Sequence, residues 1–158
     1  MKSGAALARS MTNGWELATV ITLQGGTPFS VLTNANAFIQ ARADLVPGCN
    51  PAKSGNVKSR LNSYFNIACF APATAVGNFG TSVRNILHGP GQRNSDISIV
   101  KVFRMGERGV EFRSEFFNAF NTTSFANPLN ILESSTAGQI VSTSTGPRVI
   151  QVALKFNF

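Results

Sequence analysis

The side chains with the readiest chemistry in this 158-residue chain are two cysteines, Cys49 and Cys69, and one histidine, His88. A structural zinc site needs about four ligands at close spacing, and His88 stands apart from both cysteines. His88 reads as a loop residue. Serines and acidic residues are present, but they form no triad order, nucleophile elbow, paired-carboxylate motif or phosphate-binding loop. The expectation is that the chain has no catalytic, cofactor-binding or metal-binding residues and is not an enzyme. The cysteines have two readings. In an oxidising compartment a Cys49–Cys69 disulfide would close a loop of about twenty residues, worth on the order of 3 kcal/mol. Otherwise they are two free, buried thiols.

The elements that must carry these residues are strands. In 147–158 the residues Ile150, Val152, Leu154, Phe156 and Phe158 fall on one side, and Val149, Gln151, Ala153, Lys155 and Asn157 on the other. A strand sends successive side chains to opposite faces, so one face is apolar and the other mostly polar. Soluble chain ends tend to fray in water and rarely finish on Phe. A transmembrane barrel strand alternates lipid-facing apolar residues with lumen-facing polar ones and carries aromatic girdles at the interfaces. The last eleven residues, Arg148 to Phe158, tilted at about 40–45° rise about 25–28 Å, close to the ~25 Å apolar band of such barrels.

Composition narrows the classes. Hydrophobic residues make up 43% and charged residues 13%, well below the roughly 25% charged usage of soluble domains. No uninterrupted apolar run approaches the ~20 residues of a membrane helix. The net charge is +7, but the basic residues are scattered, without the cluster or basic-aromatic surface that binds phosphates and bases. Nucleic acid is not an expected partner; positive charge of this kind also suits anionic lipid headgroups. The only apolar run near the amino terminus spans Ala5 to Ala8 before Arg9, short of the ~7–15 residues of an export signal.

Three further strands are expected. In 14–24 the residues Trp15, Leu17, Thr19, Ile21 and Leu23 share a face, and Gly25-Gly26-Thr27-Pro28 ends the run. In 93–104, Ile97, Ile99, Lys101 and Phe103 share a face. Lys101 falls near the strand end, where its stem could snorkel to the headgroups; the opposite facing, with Val100 and Val102 outward, is the alternative. In 110–120, Val110, Phe112, Ser114, Phe116 and Phe120 oppose Glu111, Arg113, Glu115 and Phe117. The short Met105–Gly109 turn makes a hairpin. The 25–92 stretch loses all period, holds turn dipeptides such as Gly77-Asn78, and reads as a long loop, as does 121–146. With Phe158 at the periplasmic end, both long loops are extracellular. Trp15, Phe103, Phe112, Phe156 and Phe158 then mark the periplasmic girdle, and Phe116 and Phe120 the outer one. A simple antiparallel ladder between the last two strands sets Lys155 beside Glu111 or Arg113, with Glu111 the favoured neighbour.

The stretch Glu115-Phe-Phe-Asn-Ala-Phe-Asn121 resembles the penultimate strand of TonB-dependent outer-membrane receptors. The Oar-like subgroup, which carries a carboxypeptidase-regulatory-like domain, is the most similar. Gly14-Trp15 opening a strand, Gln24-Gly-Gly-Thr-Pro-Phe29, Tyr64-Phe-Asn-Ile-Ala-Cys-Phe70, Arg84-Asn-Ile-Leu-His-Gly-Pro-Gly91 and Gly146-Pro-Arg-Val-Ile-Gln-Val-Ala-Leu-Lys-Phe-Asn-Phe158 are similar too, in order along the chain. One departure is Ala137-Gly138-Gln139-Ile140, where the subgroup tends to have Phe before the Gly.

The resemblance implies an all-β fold: antiparallel up-and-down strands forming the carboxyl-terminal segment of a 22-stranded, plugged barrel. It implies uptake of a scarce ligand driven by the TonB system, in the bacterial outer membrane, with no cofactor. Phe156 and Phe158 would serve as membrane anchors and as the signal read by the barrel-assembly machinery. The implied partners are outer-membrane lipid, that machinery, the rest of the barrel with its plug, and the TonB system. About four strands leave two open edges, and unpaired backbone in lipid costs several kcal/mol per group. The chain is therefore expected to be a piece of a larger receptor, with 1–13 a remnant in the turn before the first strand. The alternative function is a soluble or surface-exposed β-sandwich binding module, whose alternation would face a core.

Overall fold

The computed structural model describes residues 11–34, 40–73 and 79–158. Of the 1–13 remnant only the last three residues fall within these, and the Gly77-Asn78 turn lies outside them. Ten strands follow in order: β1 (Trp15–Gln24), β2 (Pro28–Phe29), β3 (Leu32–Thr33), β4 (Ala41–Arg42), β5 (Asp44–Leu45), β6 (Phe70–Ala71), β7 (Leu87–His88), β8 (Gln92–Met105), β9 (Arg108–Phe117) and β10 (Val149–Asn157). Two 3₁₀ helices, Val57–Arg60 and Ile67–Cys69, interrupt them. No helix among the described residues is long and apolar enough to cross a membrane. The chain divides into a sheet unit (residues 1–23, 93–123 and 146–158) and a loop unit (24–92 and 124–145).

The sheet unit is one four-stranded sheet of order β1-β8-β9-β10. β8, β9 and β10 pair antiparallel. β1 does the same against β8: Val102 N–H donates to Gly14 O at 2.8 Å while Thr19 Oγ1 donates to Asp96 O at 3.2 Å, so the numbers run in opposite senses. The β-branched and aromatic content of these runs suits a pleated surface. β1, β9 and β10 have 10, 10 and 9 residues, the length of a tilted membrane-spanning strand.

The observed boundaries differ from the expected ones for local reasons. The second strand gains one residue at each end, Gln92 and Met105. Met105 pairs with Arg108, which shrinks the turn to Gly106-Glu107. Gly106 has φ +67°, as the first central position of a type II′ hairpin requires. The third strand stops at Phe117, not at 120, because Asn118 adopts φ +50° and Asn121 does the same. Asn tolerates this left-handed region at little cost. Asn118 also ties the corner together: its Nδ2 donates to Thr122 O and Gly146 O, its Oδ1 accepts from Thr122 N–H, and its own N–H donates to Asp96 Oδ1. Phe120 is therefore off the strand and 73% exposed. The first strand begins at Trp15 and the last spans Val149–Asn157. Gly14 has φ +79°, and a Cβ there would lie 2.6 Å from Val102 O, so only glycine lets the chain enter β1 at this spacing.

The 25–92 stretch is not a structureless loop. It forms a compact unit with 124–145, and its strands are two-residue ladders: β2 with β7, β3 with β4, β5 with β6. Pieces this short leave no run in which period-2 alternation can show. Phe29, Val31, Ala43, Tyr64, Phe65, Cys69, Phe70, Leu87 and Ile140 make the core. Phe65 sits at its centre, with ring centroids 5.8 Å from both Phe29 and Phe70 and an edge-on approach to the latter, the geometry aromatic quadrupoles favour. The 124–145 segment joins through Leu32, whose N–H donates to Asn130 O and whose carbonyl accepts from Leu132 N–H, both at 2.8 Å.

Candidate functional site: a two-faced sheet and a cystine-closed loop unit

The ladder register sorts the sheet side chains. Ile150, Val152, Leu154 and Phe156 stand opposite Phe116, Ser114, Phe112 and Val110 of β9. These in turn stand opposite Ile97, Ile99, Lys101 and Phe103 of β8. Lys101 Nζ lies 5.0 Å from the ring centroids of both Trp15 and Phe103, which places Trp15, and with it Leu17, Ile21 and Leu23, on the same face. That face is largely apolar across the four strands, with Thr19, Lys101 and Ser114 its polar members, and on the outer strands it is open: Leu17 is 72% exposed and Leu154 60%. An exposed apolar surface of this continuity marks contact with a membrane or a partner.

The other face carries Gln151, Glu115 and Ser98 in one row, Ala153, Arg113 and Val100 in the next, and Lys155, Glu111 and Val102 in a third. Val100 and Val102 thus share the polar face, not the apolar one. Arg113 bonds to Glu111 at 3.0 Å and reaches Glu115 at 3.5 Å along its own strand. Charges of alternating sign two residues apart share one face and neutralise one another locally.

Lys101 sits on the apolar face but does not snorkel to solvent. It is 2% exposed. Its ammonium donates to the carbonyls of Met11 (3.1 Å) and Asn13 and lies between the Trp15 and Phe103 rings. A cation on a face turned from water needs such partners. The sequence signal was there in part: Lys101 breaks an apolar face one step from Phe103. The carbonyls that satisfy it come from a segment without periodicity.

The sequence-designated aromatics fall as follows. Trp15, Phe103, Phe112 and Phe156 lie on the apolar face toward the Gly106-Glu107 end of the sheet. Phe116 lies toward the other end, opposite Ile97 and Ile150. Phe158 follows the last ladder pair and is 99% exposed, and Phe120 lies past the Asn118 corner.

In the loop unit Cys49 and Cys69 form a disulfide with a Cα–Cα distance of 5.4 Å. It joins the turn after β5 to the second 3₁₀ helix beside Phe65 and Phe70. His88 is exposed, and its carbonyl accepts from Tyr64 OH at 3.1 Å. Among the described residues no three His, Cys, Asp or Glu side chains group as metal ligands. A polar clamp closes the unit elsewhere: Glu133 accepts from Thr33 Oγ1 and, at 2.9 Å, from Asn34 N–H. Burial raises the Glu133 carboxyl, but the bonds from Thr33, Asn34 and its own backbone outweigh it and hold the group below its ordinary value.

A family model described as "Outer membrane beta barrel domain" matches residues 1–151. No curated protein and no solved structure matches the chain. The match covers nearly the whole chain, and the two-faced antiparallel sheet is what such a domain requires: the chain belongs to the outer membrane beta barrel domain family and resides in the bacterial outer membrane.

Proposed function

We propose that the chain forms part of the wall of a TonB-dependent receptor of the Oar-like kind, taking up a scarce ligand through a plugged barrel. The observation that carries the reading is the largely apolar face shared by four antiparallel strands, with a charged face behind it and the outer edges of β1 and β10 unpaired among the described residues. Unpaired strand edges in hydrocarbon cost several kcal/mol per group, so the sheet needs neighbouring strands to complete a wall. The ordered resemblance from about Gly14 to Phe158 supports the receptor subgroup. In this reading the Gly106-Glu107 turn is periplasmic and the loop unit extracellular, and Phe156 and Phe158 engage the barrel-assembly machinery. Transport, not chemistry, is the activity: no catalytic constellation, cofactor or metal enters it. The TonB system would act through a segment outside these strands.

The test is uptake. Cells carrying the receptor should accumulate its ligand against a gradient, and dissipating the inner-membrane proton gradient should abolish the accumulation. Uptake that persists unchanged after uncoupling would replace energised transport by a passive pore. A chain that stays in solution without detergent would instead return the reading to a surface-exposed β-sandwich.

A further inference from the structure

We propose that the loop unit holds a site for a small anionic group, a phosphate or carboxylate, in the cavity between Lys53, Arg60, Tyr64 and His88. The cavity has a volume of about 220 Å³, with Ala52 and Leu87 among its other walls. This is below the ~300–1,000 Å³ of pockets that enclose a whole drug-sized ligand. It suits one charged group at the end of a larger molecule.

The chemistry of the walls is one-signed. Lys53 and Arg60 are cations, and no acidic side chain lines the cavity. The loop unit as a whole carries Arg42, Lys53, Lys58, Arg60 and Arg84 against Asp44 and Glu133. Arg60 is held in place before any ligand arrives. Its Nη1 donates to the carbonyls of Lys53 and Tyr64, and its guanidinium stacks 4.6 Å over the Tyr64 ring. Lys53 Nζ is anchored by Ser63 Oγ at 2.5 Å, which leaves two of its three donors for another acceptor. Tyr64 OH is committed to His88 O, so the ring serves as a wall. The site rests on the loop unit alone and does not require energised transport.

Tyr64 is the only tyrosine, so the full chain made with ring-labelled tyrosine and held in maltoside micelles gives one NMR reporter inside the cavity. Titration with inorganic phosphate, against chloride at equal ionic strength, should shift that signal saturably. Arg60→Gln and Lys53→Gln should each weaken the binding roughly tenfold, the effect of one lost charge-assisted contact. Lys58→Gln, on the same 3₁₀ helix but not lining the cavity, should leave it unchanged. Micelles doped with an anionic phospholipid distinguish the source. A shift with free phosphate assigns a soluble ligand, and a shift with the doped micelles alone assigns a lipid headgroup. No saturable shift with either overturns the site. So does equal loss in Lys58→Gln, which would mean diffuse surface charge, or full retention in Lys53→Gln. If Arg60→Gln displaces the Tyr64 signal before any anion is added, Arg60 braces the fold and Lys53→Gln alone decides.

Discussion

Lys155 of β10 stands directly across the ladder from Glu111 of β9. The pair lies on the charged face, beside the Arg113–Glu111 bond. Opposite charges across a ladder contribute about 0.2–1 kcal/mol, and like charges cost a similar amount. Lys155→Glu should therefore destabilise the folded barrel in urea titrations from lipid vesicles, and Glu111→Lys in the same chain should restore most of the loss. Strict additivity of the two changes would mean that the strands pair in another register.

The two faces of β10 should respond differently to one new charge. Val152 lies near the middle of its strand on the apolar face, and Gln151 lies next to it on the other. Val152→Arg should cost about 2–4 kcal/mol at the bilayer midplane, while Gln151→Arg should change stability little. Folded fractions read from heat-modifiable gel mobility would check this. Equal effects would mean that neither face meets lipid.

Removing the Lys101 ammonium should release the carbonyls of Met11 and Asn13. Lys101→Met keeps the stem and deletes the donor. The expected loss is about 1–3 kcal/mol for stranded polar groups, with faster amide exchange at Val102, whose N–H donates to Gly14 O. Unchanged exchange there would show that the ammonium does not hold this corner.

The Cys49–Cys69 bridge spans 20 residues. By loop-closure entropy it contributes about 3 kcal/mol. A Cys49→Ala, Cys69→Ala chain should become sensitive to protease within 25–92 at a temperature where the parent resists. The strands of the sheet unit should stay protected. Cleavage spreading into β8 and β9 would mean that the two units unfold as one.

Glu133 gives the loop unit a pH dependence of defined sign. Its folded value is lowered, so the ionised form is the one that Thr33 and Asn34 stabilise. Its contribution is present above the ordinary carboxylate range and is lost as pH falls through the folded value. The group is exposed, so the effect is below about 1 kcal/mol. Melting of the loop unit should fall on acidification more steeply in the parent than in Glu133→Gln, measured by the near-ultraviolet signal of Tyr64. Parallel curves would remove Glu133 from the clamp.

The sheet was legible in the sequence because its strands are long enough for alternation to show. Ile150 to Phe156 fills one face without a gap and Val110 to Phe116 is broken only by Ser114, and pairing the two as a plain antiparallel ladder sets Lys155 on Glu111. The ends were less legible. The apolar spacing of the third strand runs on to Phe120, whereas the left-handed backbone at Asn118 ends the strand at Phe117. Asn118 and Asn121 were visible as residues, but their capacity for positive φ becomes a corner only when Thr122 and Gly146 supply the bonds. The loop unit was the least legible part. Its core draws Phe29, Phe65, Leu87 and Ile140 from four separated stretches, and no local pattern joins them. Arg60 and Lys53 looked like scattered charge for the same reason.

Direction counting along the sheet fixes a parity. β1 and β10 are three antiparallel steps apart, so they point in opposite senses. A cylinder that joins them through antiparallel neighbours must insert an even number of ribbons, and since the narrowest membrane cylinders have about eight, at least four. An odd insertion would force a parallel seam somewhere around the circumference.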